Sequence, residues 1–398
     1  MTQQLQEAYI VAATRSPIGK APRGMFRTTR PDDLLVSVLK SALAQVPGLD
    51  PKTIEDAIVG CSFPEGAQGL NMARNAVLLA GMPNTIGGVT INRYCASGIT
   101  AVAMAADRIR VGQADVMIAA GAESMSMVPM MGFHPSVNMD VFKDENVGMA
   151  YGMGLTAEKV AQQWKVSREA QDQFALDSHL KAIAAQQRGD FDAETTPFEI
   201  IERTPNLATG QIDINRRTVN RDEGARADAN LAALAKLRPV FSAKGSVTAG
   251  NSSQTSDGAG ALILVSEKIL KQFNLTPLAR FVSFAVRGVP PEIMGIGPKE
   301  AIPAALKAGG LTQDQIDWIE LNEAFAAQAI AVIQDLGLDP AKVNPMGGAI
   351  ALGHPLGATG AIRSATVIHA MQRNKLRYGM VTMCVGTGMG AAGIFERM

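Results

Sequence analysis

Cysteine and histidine are scarce in this chain of 398 residues, which contains three cysteines and four histidines. The cysteines, Cys61, Cys95 and Cys384, lie far apart and include no C-x-x-C pair. Such spacing is untypical of a disulfide framework or a zinc site. We therefore expect no metal site and a reducing compartment, with the cytoplasm as the default.

Net charge is also absent, because 37 basic side chains balance 37 acidic ones. A chain without excess charge has no bulk electrostatic attraction for nucleic acid or anionic membranes, so an anionic ligand would have to be held locally. The first 20 residues lack a basic segment followed by an apolar one, and no export signal is expected. The uncharged run 378–395 contains five glycines, which favours a buried hairpin over a membrane span.

Short apolar runs typical of strands alternate with helical patterns near both ends of the chain. In the first part the patterns predict strands near 7–13, 54–60, 88–92 and 115–121, and helices near 32–45, 71–80 and 96–111. After residue 275 they predict strands near 279–287, 316–321, 377–384 and 391–396, and helices near 299–308, 324–336 and 358–372. This alternation predicts an α/β fold in which helices cover the sheets.

The two parts follow one plan. Gly48 and Leu49 precede Ile54 by the same spacing as Gly310 and Leu311 precede Ile316, an offset of 262 residues. We infer a duplication. The intervening segment is rich in methionine at first and then predicts charged helices near 156–165 and 167–188, as expected of an insertion over the core. The predicted domains are 1–122 plus 246–270, a loop domain at 123–245, and 271–398, and composition alone equally allows the insertion to be a stabilising cap.

Cys95 stands where the apolar run 88–91 gives way to small residues and then to a helical pattern that continues through Arg110. A thiol in the first turn of a helix faces the positive end of the helix dipole and unpaired N–H groups, which favour the thiolate. A lone cysteine is nevertheless more often a core residue than a nucleophile. The assignment of Cys95 as a nucleophile therefore depends on other segments.

Three glycine-rich or junction segments supply candidates for a shared site: 322–326, 347–360 and 384–390. Dense glycines serve tight turns or the close approach of backbone to a ligand. His354 is the one histidine of four in such a loop. An imidazole near a thiol can lower the pKa of the thiol, carry its proton and donate to an oxyanion.

Together these segments closely resemble the motifs of the thiolase family: NRYCASG at 92–98, NEAFA at 322–326, GGAIALGHP at 347–355 and CVGTGMG at 384–390. The resemblance extends from RSPIG at 15–19 to the C-terminal residues Phe395 and Glu396. It implies an α/β fold of duplicated βαβαβαββ halves that form a five-layered α/β/α/β/α core, with an inserted loop domain. It also implies a homodimer or homotetramer, or an assembly with a multifunctional β-oxidation subunit.

The resemblance also implies the roles of the site residues. Cys95 would be the nucleophile that becomes an acyl thioester, and Cys384 the acid and base for the substrate carbon. His354, as base and oxyanion donor, and a water held by Asn322 would stabilise the thioester oxygen, while the backbone N–H of Gly386 would serve a second oxyanion. Coenzyme A (CoA) would be the co-substrate, with no tightly bound cofactor and no metal.

For binding, the resemblance implies that Arg226 contacts the adenine nucleotide of CoA and that Ala249 and Ser253 follow the pantetheine. Met153, Met294 and Phe325 would line the pocket that holds the substrate. Some relatives carry a serine where this chain has Ala233.

The segment 151–158 lacks the histidine usual in biosynthetic thiolases, and 289–295 resembles degradative members. We therefore expect a 3-ketoacyl-CoA thiolase of fatty acid β-oxidation. A biosynthetic acetoacetyl-CoA thiolase and a non-catalytic acyl-CoA or lipid carrier of the same fold remain alternatives. Cys384 argues against a β-ketoacyl carrier-protein synthase, and 386–390 lacks the full G-x-G-x-x-G of a dehydrogenase.

Overall fold

The computed structural model describes residues 5–398. Its strands are β1 (Tyr9–Arg15), β2 (Gly19–Lys20), β3 (Asp56–Gly60), β4 (Val89–Ile91), β5 (Val116–Ser124), β6 (Phe198–Asn206), β7 (Gln211–Val219), β8 (Ser256–Val265), β9 (Ala279–Gly288), β10 (Trp318–Leu321), β11 (Tyr378–Val385) and β12 (Met389–Arg397). Its α-helices are α1 (Pro31–Ala44), α2 (Met72–Leu79), α3 (Ser97–Arg110), α4 (Met153–Gln163), α5 (Arg168–Arg188), α6 (Leu231–Ala235), α7 (Glu267–Phe273), α8 (Gly297–Gly309), α9 (Ala326–Leu336), α10 (Ala349–Leu352) and α11 (Leu356–Asn374).

The duplication predicted from the sequence is confirmed by strand order. The first half runs β4-β3-β5-β8-β1 and the second β10-β11-β12-β9. In both halves the pairs at the outer end of the sheet are parallel, and the pairs nearer to β1 and β9 are antiparallel. The bridge between Ile319 and Val343 is parallel and occupies the place that β4 has in the first half.

Five layers result, but the two β layers are not separate sheets. Antiparallel pairing of Tyr9 with Arg280 and of Ile10 with Ala279 joins β1 to β9, so that one continuous ten-stranded sheet forms both layers. Helices α3 and α11 pack between the layers, α1 and α2 cover the first half, and α8 and α9 cover the second.

Small residues make the central layer possible. A side-chain carbon at Gly98 would come within 2.5 Å of the backbone nitrogen of Ala361, and one at Gly360 would overlap the backbone of Ile99. Because neither glycine carries such a carbon, α3 and α11 approach through their backbones. This contact brings the start of α3, next to Cys95, against the start of α11, next to His354.

Strand β5 is buried along its whole length, and its alternate residues serve different layers. Met117 and Ala119 join the central core cluster, whereas Ile118 and Ala120 join the outer one. A strand buried on both faces reads as an uninterrupted apolar run, which is why the sequence pattern identified it.

The intervening segment contains the two predicted charged helices, which are α4 and α5. The pattern missed the hairpin of β6 and β7 because β7 is exposed at nearly every position and shows no apolar alternation. It also missed the short helices α6, α7 and α10. The hairpin predicted within 378–395 is confirmed as β11 and β12. Within residues 5–398, no helix has both the length and the apolar character needed to cross a bilayer.

Candidate active site

Cys95 lies in a 3-10 turn, Tyr94–Ala96, immediately before α3. The turn is braced by side chains, because the hydroxyl of Ser97 accepts from the N–H of Arg93 at 2.8 Å and donates to the carbonyl of Tyr94 at 2.7 Å. The carboxamide oxygen of Asn92 accepts from the N–H of Tyr94 at 2.8 Å. The NRYCASG segment therefore fixes the position of its own cysteine, which is half-buried.

The surroundings of Cys95 act against the thiolate that its position before α3 was expected to favour. Burial raises the pKa of the Cys95 thiol to about 12, although the N–H groups of Gly386 and of Cys95 itself act in the opposite direction. The carboxyl group of Glu123 raises the pKa further. Burial destabilises the thiolate by more than the backbone N–H groups stabilise it, so the nucleophile is a thiol before it reacts.

His354 is buried beside Asn322, with 3.3 Å between its Nε2 and the amide nitrogen of Asn322. Its Nδ1 lies 2.6 Å from the hydroxyl oxygen of Thr359. With the Asn322 amide in this orientation its nitrogen donates, so Nε2 accepts and the ring proton lies on Nδ1, where it is donated to Thr359. This tautomer leaves the unprotonated nitrogen on the side of Asn322.

The imidazole of His354 is neutral. Burial lowers its pKa to about 3, and the positive charge of Arg363 contributes to the decrease. The side-chain amide oxygen Oδ1 of Asn322 is buried and has no hydrogen-bond partner among residues 5–398. A buried carbonyl oxygen ordinarily accepts a hydrogen bond, so it is available to a water or a substrate group.

Cys384 is buried at the end of β11. Burial raises the pKa of its thiol well above the ordinary value, and the nearby Cys95 raises it further. Cys384 belongs to an apolar cluster that also contains three residues assigned to the substrate from the sequence, namely Met153, Met294 and Phe325. The structure therefore brings the second thiol and the apolar candidates together.

Gly386 lies in the turn between β11 and β12, two residues after Cys384, and its N–H acts to lower the pKa of the Cys95 thiol. A side-chain carbon at Gly386 would lie 3.7 Å from the ring of Tyr94 and 3.8 Å from the sulfur of Met153. The backbone of the second half thus reaches the nucleophile of the first.

The residues expected to bind CoA differ in their surroundings. Ser253 donates from its N–H to the carbonyl of Ala324 at 2.9 Å, next to Phe325. Ala249 is exposed. Arg226 is exposed and its guanidinium lies 3.0 Å from the carboxylate of Asp228. Arg226 is therefore outside the cluster around Cys95.

The sequence interpretation missed Glu123, Thr359 and Gln254. The buried carboxylate of Glu123 accepts from the N–H of Ser62 at 2.7 Å and of Gly357 at 2.8 Å, and so ties the first half to the start of α11. The signal for it was present, because Glu123 is a lone charge directly after the apolar run of β5. Thr359 and Gln254 carried no comparable signal.

Comparisons with known proteins agree with this geometry. The model of the thiolase N-terminal domain matches residues 8–268, and that of the thiolase C-terminal domain matches residues 275–397. The chain is 49% identical over 393 residues to a 3-ketoacyl-CoA thiolase of Bacillus subtilis, covering 98% of this chain and 100% of the relative.

Two solved structures show the same fold. Bacillus anthracis acetyl-CoA acetyltransferase matches with a TM-score of 0.90 and 37% identity, covering 100% of both chains. Human mitochondrial 3-ketoacyl-CoA thiolase in complex with CoA matches with a TM-score of 0.88 and 36% identity, again covering 100% of both chains. Matches over both halves, at this identity, leave one assignment: the chain belongs to the thiolase family.

Proposed function

We propose that this protein is a 3-ketoacyl-CoA thiolase, an acyltransferase that cleaves 3-ketoacyl-CoA with CoA in fatty acid β-oxidation. The observation that carries the proposal is the meeting of Cys95, Cys384 and the N–H of Gly386 beside an apolar cluster. The relative from Bacillus subtilis, at 49% identity over the full chain, carries the same function in its name.

The acylation step uses Cys95 and His354. The sulfur of Cys95 adds to the keto carbon C3 while its proton passes to Nε2 of the neutral His354. The N–H groups of Cys95 and Gly386 stabilise the resulting oxyanion, and the loss of one such donor typically costs roughly 2.7–4 kcal/mol of transition-state stabilisation. The buried thiol is suited to this step because proton loss and carbon–sulfur bond formation accompany each other.

The C2–C3 bond then breaks, leaving the acyl group on Cys95 and the electron pair on the enolate of acetyl-CoA. Cys384 gives its proton to the C2 carbon. Protonated His354 and a water held by Asn322 donate to the thioester oxygen of the enolate and so stabilise its negative charge. Acetyl-CoA leaves, and Cys384 is a thiolate.

Release uses the same groups in the opposite sense. The Cys384 thiolate takes the proton of the CoA thiol, and the CoA sulfur adds to the acyl carbonyl. The bond to Cys95 breaks, and Cys95 recovers its proton from His354. The shortened acyl-CoA leaves with both thiols and the imidazole restored to their resting protonation states. CoA is thus the co-substrate, and every proton is accounted for by these three side chains.

We propose that the loop domain, 123–245, covers this site and binds CoA. Met153, at the start of α4, packs on the apolar cluster with Cys384. Arg226 is exposed and would contact the nucleotide. Ala249 and Ser253 would contact the pantetheine. Met294 and Phe325 would contact the acyl chain, and Gly152 leaves the space that a histidine would take in a biosynthetic enzyme.

We propose a homodimer formed through β4. This strand is at the end of the sheet order, and Val89 on it is 39% exposed. Leu78 and Leu79 of the neighbouring α2 are also exposed. An unpaired edge strand with apolar neighbours is a template for pairing with a second chain. Val89→Lys should halve the mass in sedimentation, whereas Leu207→Lys, at an exposed turn, should not.

The cytoplasm is our proposed location. Cys61, Cys95 and Cys384 are all free thiols, which supports a reducing compartment. Fractionation of cells that produce the protein at native level tests this, and recovery of the activity outside the cytoplasmic fraction would contradict it.

The central experiment is acylation of Cys95. Incubation with acetoacetyl-CoA, digestion and mass spectrometry should show an acyl group on the peptide with Cys95, and Cys95→Ala should abolish thiolysis. Cys61→Ala is the matched control, which should still be acylated on Cys95. A chain that binds acyl-CoA without acylation would instead be a carrier. Comparison of acetoacetyl-CoA with longer 3-ketoacyl-CoA substrates separates the degradative enzyme from a biosynthetic one.

A further inference from the structure

Gln254 occupies the junction between two segments of the site. It follows Ser253 directly and precedes β8. Its side-chain amide nitrogen has two N–H donors, which are shared among three carbonyls, those of Gly224 at 3.1 Å, Ile350 at 3.0 Å and Ala351 at 3.3 Å. One side chain therefore bonds to the segment of Arg226 and to the loop of His354.

The backbone of Gln254 makes a second connection to the same loop. Its carbonyl accepts from the N–H of His354 at 3.2 Å, and the hydroxyl of Ser256 also accepts from that N–H, at 3.1 Å. His354 is thus positioned by groups on both sides of residue 255. A displacement of Gln254 would therefore move the backbone of His354 and, with it, the imidazole.

Gly224 completes the contact from the other side. A side-chain carbon at Gly224 would overlap the carbonyl oxygen of Ala351, so the segment near Arg226 and the loop of His354 touch through their backbones. This segment is itself firmly held. Asp222 bonds to the guanidinium of Arg15, and Glu223 accepts from the N–H groups of Lys20 and Met25.

The segment also contacts helix α5 at Arg226, whose N–H donates to Nδ1 of His179 at 3.2 Å. Burial lowers the pKa of His179 to about 4, so this ring is neutral and its Nδ1 is free to accept. Arg226, the residue expected to contact the nucleotide, is two residues after Gly224. The segment that carries both is therefore fixed at both of its ends.

We propose that Gln254 and Gly224 are positioning residues that couple the nucleotide half of CoA to the placement of His354. The inference rests on the proposed function, because it takes Arg226 as the nucleotide contact. The segment at 222–226 is already rigid, so a nucleotide held by Arg226 fixes CoA relative to it, and the amide of Gln254 holds 350–354 in position against the same segment. Binding energy from a remote part of the substrate then improves the reacting geometry rather than the affinity alone.

The test compares two thiols on the acyl-enzyme. Acylated protein is mixed with saturating CoA or with saturating pantetheine, which has the same thiol and no nucleotide, and deacylation of Cys95 is followed in a single turnover. The wild-type protein should deacylate roughly 10-fold faster with CoA, a coupling within the usual range between two sites. In Gln254→Ala this difference should disappear, chiefly because the rate with CoA falls.

Two further variants act on the same contact. Gln254→Glu places an acceptor against three carbonyls and should lower the rate with CoA more than Gln254→Ala. Gly224→Ala should reproduce the loss of the CoA advantage, and the double variant should not lose more than either single one, since both changes break one contact. Gln173→Ala, at an exposed site on α5, is the matched control and should behave as wild type.

The outcomes separate this inference from the proposed function. Absence of acyl transfer to Cys95 in the wild-type protein contradicts the proposed function. Normal acylation with equal maximal rates for the two thiols contradicts the coupling alone. An equal fall of both rates in Gln254→Ala also contradicts it, because a merely structural role does not distinguish the thiols. Thermal unfolding of each variant identifies those that fail to fold. If Gln254→Ala does not fold, the rates of deacylation of Gln254→Glu with CoA and with pantetheine decide the question.

Discussion

The hydroxyl oxygen of Thr359 lies 2.6 Å from Nδ1 of His354. Both groups are buried, and Thr359 is in the first turn of α11, five residues after the histidine. This pair determines which ring nitrogen faces Asn322, since the nitrogen bound to Thr359 carries the proton.

Thr359→Val should therefore reduce activity with little loss of shape. Valine fills the same volume but offers no acceptor to Nδ1, so the ring loses its fixed tautomer and orientation. We expect kcat/KM for thiolysis to fall about 10-fold, equivalent to about 1.4 kcal/mol of transition-state stabilisation. Thr359→Ser retains the hydroxyl and should stay near the wild-type value. Wild-type turnover in Thr359→Val would contradict the role of the pair.

The stability of the protein should depend on pH through His354. Its folded pKa of about 3 lies below the ordinary value, so between these two values the unfolded chain binds the extra proton. Stability contributed by the neutral ring is present above about pH 6.5 and is lost as the pH falls towards 3.

Comparison with His354→Asn isolates this effect, because asparagine does not titrate. Between pH 7 and pH 5 the free energy of unfolding of the wild type should fall by about 2 kcal/mol more than that of the variant, as linkage requires. Urea unfolding at the two pH values measures both. A difference that does not change with pH would mean that the imidazole is already charged or exposed in the folded protein.

Cys384→Ala should remove proton transfer at carbon while the nucleophile remains. In heavy water the wild type should exchange the methyl protons of acetyl-CoA for deuterium, and the variant should do so at least about 100-fold more slowly, the usual contribution of a general acid or base. Alkylation of Cys95 by iodoacetamide is the control and should persist in Cys384→Ala. Rapid exchange in the variant would assign the carbon acid–base role to another group.

Arg15 should be essential for stability. Its guanidinium is buried and bonds to Glu194 at 2.6 Å and to Asp222 at 2.7 Å. Arg15→Met would leave two buried carboxylates without their partner, and removal of one member of such a group typically costs roughly 3–5 kcal/mol. Urea unfolding measures the loss. Arg27→Met, at an exposed ion pair, is the matched control and should change stability by less than about 1 kcal/mol.

The apolar cluster around Cys384 should set the preference for acyl chain length. Met294 is 2% exposed and packs there with Phe325. Met294→Phe adds bulk at this point and should lower kcat/KM for long 3-ketoacyl-CoA substrates several-fold while sparing acetoacetyl-CoA, since an overfilled pocket excludes the longer chain first. Met104→Phe, exposed on α3, is the control. Equal effects on both substrates would mean that the acyl chain does not bind next to Met294.

Local pattern was enough to predict most of the framework. Apolar runs such as that of β5, and the repeated order of elements, revealed the duplication because burial on both faces leaves a continuous apolar signature. Pattern failed at the hairpin of β6 and β7, whose residues are mostly exposed and carry no such signature.

The site was predictable only in part. Motifs gave Cys95, His354 and Cys384 as residues, but the high pKa of Cys95 depends on how much protein surrounds its sulfur. That burial comes from packing between the halves, which no local window contains. Gln254 acts through a contact with Ile350, 96 residues away in the chain, and its residue type alone gave no indication of it. Thr359 is only five residues from His354, but its contact depends on how the chain enters α11, which its type does not reveal either.

The backbone contact of α3 with α11 makes each half of the chain depend on the other for its own interior. The cluster around these helices draws residues from both sheet layers, so neither half produced alone could shield its inner helix from water. Folding and unfolding should consequently be one cooperative event across residues 5–398. An active centre assembled at this seam exists only when the whole chain is folded, and a severed chain would regain activity only by reassociation of both fragments.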